Sequence, residues 1–351
     1  MSTAEGRARP GWKVWAVVAV LVLVVAGLHV YRNTNVLTGD RLCGGLVSTA
    51  KANAVLPGSG RLDAQGDGVA DDLGDTVCKV ERSSVVLGSG KGMLSVRVWE
   101  EDGDFPFEDG AWPDPSGATF FSGPVTGAVY KSVGWVLLPE RCWTTKPAFV
   151  RVSPGESASG ARAFATLITD VAHAVAARAA CGDLPAGPGK LLPPRSEAAR
   201  PVSEGRVCGL DGFSVRDKVL AGTKVLEAGQ RAPAGLWSCT LSLDDDSRDV
   251  VRADGFMTFT ASRDPLLIAA VKKSPGTSKG KAPDGREAEV VDPQKIVLPC
   301  ARGELYLAAE VKLQYLEARK RHPDLPRSDA HFESFVKSAS KAYGCGTATK
   351  R

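Results

Sequence analysis

Leu42-Cys43-Gly44-Gly45-Leu46 returns later in the chain as Val207-Cys208-Gly209-Leu210, and the cysteines on either side return with it. The eight cysteines fall at Cys43, Cys78, Cys142 and Cys181, then at Cys208, Cys239, Cys300 and Cys345. Their spacings are 35, 64 and 39 residues in the first set and 31, 61 and 45 in the second. Trp135-Val136-Leu137-Leu138-Pro139 precedes Cys142 as Lys295-Ile296-Val297-Leu298-Pro299 precedes Cys300, and both sets close on Cys-Gly, at Cys181-Gly182 and Cys345-Gly346. Matched spacings with matched neighbours mean two copies of one domain, residues 42–182 and 207–346, each of ordinary domain size. Two copies are too few for a solenoid.

Within each copy the apolar pattern predicts an α+β fold. A helix-like stretch follows the first cysteine, at 46–55 and at 213–220. The second cysteine opens a strand, seen in Cys239-Thr240-Leu241-Ser242-Leu243 with its period of two. Residues 93–99 alternate through Leu94, Val96 and Val98, with 256–261 as their counterpart. Further strands precede the third cysteine and follow it, at 148–152 and 305–311. Phe164, Leu167, Ile168, Val171 and Val175 recur at helical spacing, as do Phe332, Phe335, Val336 and Ala339, so a closing helix leads to each fourth cysteine. This order predicts an antiparallel sheet with helices packed on one face.

Between the copies, residues 183–206 hold Pro185, Pro188, Pro193, Pro194 and Pro201, a density that predicts an extended, semi-rigid spacer. Residues 33–184 hold 13 basic and 18 acidic residues, a net of −5, whereas 185–351 hold 27 and 21, a net of +6. Opposite charge on like folds means either that the copies have different jobs or that they face each other. The whole chain of 351 residues carries only +4, and no concentrated basic face for nucleic acid is evident. Three Ile and three Asn against abundant Ala, Val, Gly and Arg resemble the usage of a high-GC bacterial genome.

Residues 14–31, VWAVVAVLVLVVAGLHVY, are apolar but for His29. About 20 such residues in a helix match a bilayer core of ~30 Å. Trp12, Trp15 and Tyr31 stand where interfacial aromatics belong. Arg7, Arg9 and Lys13 precede the run, so residues 1–13 should stay in the cytoplasm and the bulk of the chain should be extracytoplasmic. A cleavable signal peptide is the competing reading, with Val24-Val25-Ala26 as its cleavage site. The apolar run continues past that site to Tyr31, which favours a retained anchor in the cell membrane.

Outside the membrane, an even set of cysteines points to disulfides. Zinc would want close pairs and histidines, whereas the closest cysteines within either copy are 31 residues apart and the chain has four His. Four cysteines allow three pairings per copy. The third cysteine follows a strand leading towards the closing helix that carries the fourth, and the first would tether the opening helix to the strand at the second. The expected bridges are therefore Cys43–Cys78, Cys142–Cys181, Cys208–Cys239 and Cys300–Cys345.

A Cys-Gly start, a second cysteine 31 or 35 residues on, strands and a late cysteine pair resemble the small exported disulfide-bonded domains of actinobacterial envelope proteins, among them the extracellular sensor domains of some mycobacterial Ser/Thr kinases. The chain departs from the kinases in having no kinase catalytic motif. The resemblance implies an envelope binding or sensing role and transfers no site residue.

Candidate chemistry is sparse. Asp63, Gln65, Asp67 and Asp71 fall at alternating positions around Gly68, as in a calcium loop, but Gly74 stands where a bidentate Glu is wanted. A solvated acidic loop is the alternative. Gly88-Ser89-Gly90-Lys91-Gly92 lacks the spacing of a phosphate loop and fits a turn. Glu100-Glu101-Asp102-Gly103-Asp104 and Asp244-Asp245-Asp246 fit solvated strand ends, or paired carboxylates for glycoside chemistry. His29, His173, His322 and His331 stand in no nucleophile motif. Trp112, Trp135, Trp143 and Trp237 either pack against the disulfides or line a ligand cleft. The sequence thus predicts a single-pass envelope protein whose two domains bind a protein or a cell-wall component, with no cofactor. The alternative is an extracytoplasmic hydrolase with its cleft between the copies.

Overall fold

The computed structural model of the chain describes residues 11–36, 38–65, 76–83, 92–102, 112–196, 198–215, 223–244 and 255–345. Helix α1 (Trp12–Asn33) covers the predicted apolar run, and none of its residues is buried by the rest of the chain. A helix this apolar and this bare has the length and composition of a membrane span or a signal sequence.

The first repeat starts with a short hairpin, β1 (Arg41–Leu42) and β2 (Val47–Ser48), and the helix α2 (Thr49–Val55). The predicted helix at 46–55 therefore begins three residues late, because Val47 pairs with Leu42 and the Ser48 side chain caps the helix by accepting from the Lys51 N–H. Then come β3 (Arg61–Gln65), β4 (Thr76–Ser83), β5 (Met93–Glu100), β6 (Thr119–Phe121), β7 (Gly127–Val129), β8 (Gly134–Leu137), β9 (Ala148–Pro154) and the closing helix α3 (Ala161–Arg178). The linker holds β10 (Leu191–Leu192) and β11 (Arg200–Pro201). The second repeat runs β12 (Lys224–Gly229), β13 (Leu236–Asp244), β14 (Met257–Ser262), α4 (Pro265–Lys272), β15 (Ser278–Lys281), β16 (Glu287–Asp292), β17 (Lys295–Pro299), β18 (Glu304–Val311), α5 (Leu313–Arg321) and α6 (Ser328–Ala342). Its opening helix is not formed at 213–215, and the rest of that predicted stretch lies outside the described residues.

Both sheets are antiparallel and share one strand order. Sheet one runs β3-β4-β5-β9-β8-β7-β6, and sheet two runs β12-β13-β14-β18-β17-β16-β15. The copies agree in finer detail. Cys43 and Cys208 both adopt left-handed backbone, at φ 56° and 57°, a conformation uncommon for any residue with a side chain. Cα–Cα distances are 5.9 Å in both Cys43–Cys78 and Cys208–Cys239, and 4.8 and 4.9 Å in Cys142–Cys181 and Cys300–Cys345. All four expected bridges form. The second cysteines lie inside strands β4 and β13 rather than opening them.

One face of each sheet carries the closing helices. Gly134 abuts the Phe164 ring of α3, and Phe259 packs on Phe335 of α6 at 5.0 Å. The predicted helical stripes, including Phe164, Leu167, Ile168, Val171, Phe332, Phe335 and Val336, are fully buried there. Asp170 of α3, almost buried, binds Arg41 at 3.0 Å and Lys51 at 2.6 Å, pinning the closing helix to β1 and α2.

The linker is not a free spacer. Its β10 pairs with β6 at the edge of sheet one, and its β11 pairs with β12 at the edge of sheet two. Pro193 and Pro194 directly follow β10 and Pro201 lies in β11, which suits short edge strands. The repeats also pack together. Leu236, Tyr306 and α4 residues Leu267, Ile268 and Val271 join the apolar core of the first repeat. Buried Gln230 donates to the Ala118 carbonyl at 2.8 Å, and Thr240 donates to Asp114 at 2.7 Å.

Candidate binding face

Period-two geometry splits each strand between the helix face and an outer face. On sheet two the outer face carries Ser238, Thr240, Thr258, Thr260 and Ser262, all buried, together with Tyr306 and Ala308. These small hydroxylated positions form a platform that the first repeat covers through Asp114.

The two ladders align residue for residue. Cys78 pairs with Val96 and Val96 with Val152, just as Cys239 pairs with Phe259 and Phe259 with Ala309. The positions of Thr240, Thr260, Ser262 and Ala308 are therefore held in the first repeat by Lys79, Arg97, Trp99 and Arg151. Lys79 and Arg97 are exposed, and Trp99 and Arg151 are half-buried.

Arg97 and Arg151 stand directly opposite each other across β5 and β9. Like charges so placed repel. The arrangement is held by aromatic faces. The Arg97 guanidinium lies 5.2 Å from the Trp99 ring centroid, and that of Arg151 lies 5.6 Å from Trp99 and 4.5 Å from Trp112. Trp99 meets Phe149 edge-on at 5.0 Å and donates through Nε1 to Glu101 at 3.2 Å. Burial lowers the Arg151 pKa from its ordinary value; the charge of Glu101 opposes this and that of Arg97 adds to it. Two guanidiniums sharing one short row, with indole rings beside them, can take an anion between them and an apolar ring face alongside.

The residues singled out from sequence distribute differently. Asp63 is exposed on β3, bound to Arg61 at 3.0 Å and accepting from Ser83 at 3.3 Å; Asp67 and Asp71 lie outside the described residues. The turn proposed at 88–91 and the acidic residues Asp104, Asp245 and Asp246 also lie outside them. Glu100 accepts both the N–H and the hydroxyl of Thr144 at 2.6 Å, and Asp102 pairs with Lys146 at 3.0 Å. His173 bonds the Leu184 carbonyl, and His331 packs beside Phe256 and Tyr315. Trp237 donates to the Gln230 carbonyl at 3.1 Å and Trp143 to that of Leu138 at 2.8 Å. Of the four tryptophans named from sequence, Trp112 and Trp135 join the outer face, Trp135 directly opposite Arg151 and fully buried. Cys208, Glu227 and Cys239 cluster closely, but both sulfurs are in the disulfide and Glu227 binds Arg200 at 2.6 Å, so the group holds no metal ligands.

A cleft of about 600 Å³ between α4 and the β17–β18 loop is lined by Arg263, Lys272 and Arg302. Lys272 there is bound to Glu304 at 2.8 Å and Glu289 at 3.0 Å, and Arg263 to the Tyr343 carbonyl. Those two cations are tied to carboxylate or carbonyl oxygens, whereas among the described residues Arg97 is held only against the Trp99 ring.

The sequence reading missed Arg97, Trp99 and Arg151. The signal is in the sequence: the alternation of 93–99 through Leu94, Val96 and Val98 puts Arg97 and Trp99 together on the opposite face. Only the sheet register brings Arg151 beside them.

Comparison with family models, curated proteins and solved structures returned no match.

Proposed function

We propose that this is a single-pass envelope protein, anchored by residues 14–31, whose two extracytoplasmic repeats form one binding module for an anionic cell-wall polysaccharide. The observation that carries the reading is the Arg97–Arg151 pair on the outer face of sheet one, where Arg97 is exposed and Arg151 half-buried, beside Trp99 and Trp112. The arginines would bind carboxylate or phosphate groups on the polymer, and the exposed part of Trp99 would stack on a sugar ring. The duplication supports this division of labour. One copy buries the β13–β14 part of its outer face as a platform, and the other exposes cations, Lys79 and Arg97, at the matching places in β4 and β5. The acidic net charge of the first repeat makes this local cationic row selective, because anions are repelled elsewhere on that copy.

The test is binding of the extracytoplasmic part to polysaccharides rich in sugar acids and to their neutral counterparts. Binding should favour the acidic polymers, weaken with salt, and drop about tenfold on Arg97→Gln. Equal binding of neutral and acidic polymers, or no effect of the substitution, would refute the reading.

A further inference from the structure

Arg82 is buried, and the three groups it donates to are all neutral. Its guanidinium reaches the side-chain oxygen of Asn53 at 2.9 Å, the Gly60 carbonyl at 3.1 Å and the Leu56 carbonyl at 3.2 Å. Its Nε has no partner, and no carboxylate among the described residues pairs with it. A buried cation without a counter-charge is costly. Burial accordingly pushes the guanidinium below its ordinary pKa.

The fold does not require a cation there. Arg82 stands four residues after Cys78 in β4, and the same position after Cys239 in β13 is Leu243, fully buried in the second core. The first copy keeps a charge where the second has an ordinary apolar residue.

The place of Arg82 is distinctive. It lines a cleft of about 520 Å³ with Asn33, Thr34, Asn35, Asn53, Ser59 and neighbouring glycines, and that lining contains no carboxylate. The cleft sits where α1 meets the first repeat. The Asn35 side chain accepts from the Leu62 N–H at 2.7 Å and donates to Asn53 at 3.3 Å, and Arg61 lies over the Tyr31 ring at 4.5 Å. At ~1.5 Å per residue, Trp12 to Tyr31 spans ~28 Å, close to a bilayer core of ~30 Å. Tyr31 then marks the outer interface, and the cleft opens at headgroup level.

We infer that this cleft seats the phosphate of an anionic lipid headgroup from the outer leaflet, with Arg82 as its counter-charge and the Asn and Ser side chains as its hydrogen-bonding wall. The inference rests on the anchor being retained. A lipid source is favoured over a soluble phosphate because the cleft adjoins the anchor and is fixed to it through Asn35.

The experiment uses the full chain in nanodiscs of phosphatidylcholine with or without phosphatidylglycerol, reading bound lipid by native mass spectrometry and protein stability by thermal unfolding. Phosphatidylglycerol should be retained in preference and should raise the unfolding temperature. Arg82→Leu should keep the fold, as Leu243 does in the second repeat, and reduce the preference about tenfold. Ser59→Glu, on an exposed loop residue, places a carboxylate in the cleft without touching the core and should have the same effect, which keeps the test decisive if Arg82→Leu misfolds. Equal retention of the two lipids, or unchanged preference in Ser59→Glu, overturns the inference. So does stabilisation by free glycerol phosphate in pure phosphatidylcholine discs that matches the lipid effect. Intact mass of the protein purified from membranes separates the two failures: loss of residues 1–26 would sink the anchor reading itself, whereas an intact anchor without lipid preference sinks only the headgroup site.

Discussion

The hydroxyl of Thr126, in the first repeat, donates a 2.8 Å hydrogen bond to the buried carboxylate of Asp264, in the second. The same carboxylate accepts from the Gly123 N–H at 3.3 Å and caps α4 by accepting from the Leu267 N–H at 3.0 Å. One side chain thus starts a helix in one copy and fastens it to the other. Asp264→Ala should cost roughly 2–4 kcal/mol, combining a lost N-cap with buried donors left unmade. Denaturant unfolding of residues 34–351 measures this, and a loss below about 0.5 kcal/mol would show that the contact is incidental.

The linker strands and the packed interface change what cutting the linker should do. A protease site inserted near Ser196, between β10 and β11, should allow cleavage while leaving both halves associated on a sizing column under native, non-reducing conditions. No disulfide crosses the cut, so the halves are held by packing alone. Separate elution of the second repeat would show the interface to be too weak to unite the copies.

Equivalent outer-face positions should respond in opposite ways. Arg97→Thr should leave stability within about 0.5 kcal/mol of the parent, because the site is exposed. Thr260→Arg, at the matching place in β14 where the threonine is 2% exposed, should cost about 3–5 kcal/mol by burying an unpaired charge under the first repeat. Paired thermal unfolding curves compare them, and a tolerated Thr260→Arg would mean that the platform is not covered in solution.

Alkaline pH should destabilise the protein through two buried phenols. Burial pushes Tyr130 above its ordinary value, with the charge of Asp114 adding to the effect. Burial does the same for Tyr343, against the Ala234 N–H and Arg263. A group whose pKa is higher in the fold than in the unfolded chain contributes fully below the unfolded value, ~10, and loses that contribution as pH rises towards the folded one. Stability should hold to about pH 9 and fall above it, and Tyr130→Phe should flatten that fall. Urea midpoints from pH 8 to 11 test this; an identical alkaline slope in the variant would rule Tyr130 out as a source.

Each bridge closes a loop of 31–45 residues, worth roughly 3–4 kcal/mol by loop entropy. Replacing Cys300 and Cys345 together by Ala should lower stability by about that amount, read from the urea midpoint. No change would mean that α6 docks on sheet two without its tether.

Much of this architecture was written in local sequence. Cysteine spacing pointed to the duplication, and the strands and helices read around the cysteines singled out one of three pairings in each copy, the one that forms. Strand and helix periods placed Val96 and Phe335 in the core, since which residues face inward follows from backbone geometry alone. The length and apolarity of 14–31 predicted a helix, and one forms at Trp12–Asn33. What the sequence withheld depends on contacts between residues distant in the chain. The prolines of the linker read as a spacer, yet Leu191–Leu192 and Arg200–Pro201 close two sheet edges, because an edge strand needs partners that only folding supplies. Arg97 and Arg151 are 54 positions apart, and only the register of β5 against β9 sets them side by side. The buried charge of Arg82 gives no local sign either: its meaning comes from the place of β4 beside α1 and α2, and from Leu243 at the same place in the other copy, where the burial is satisfied by an apolar side chain.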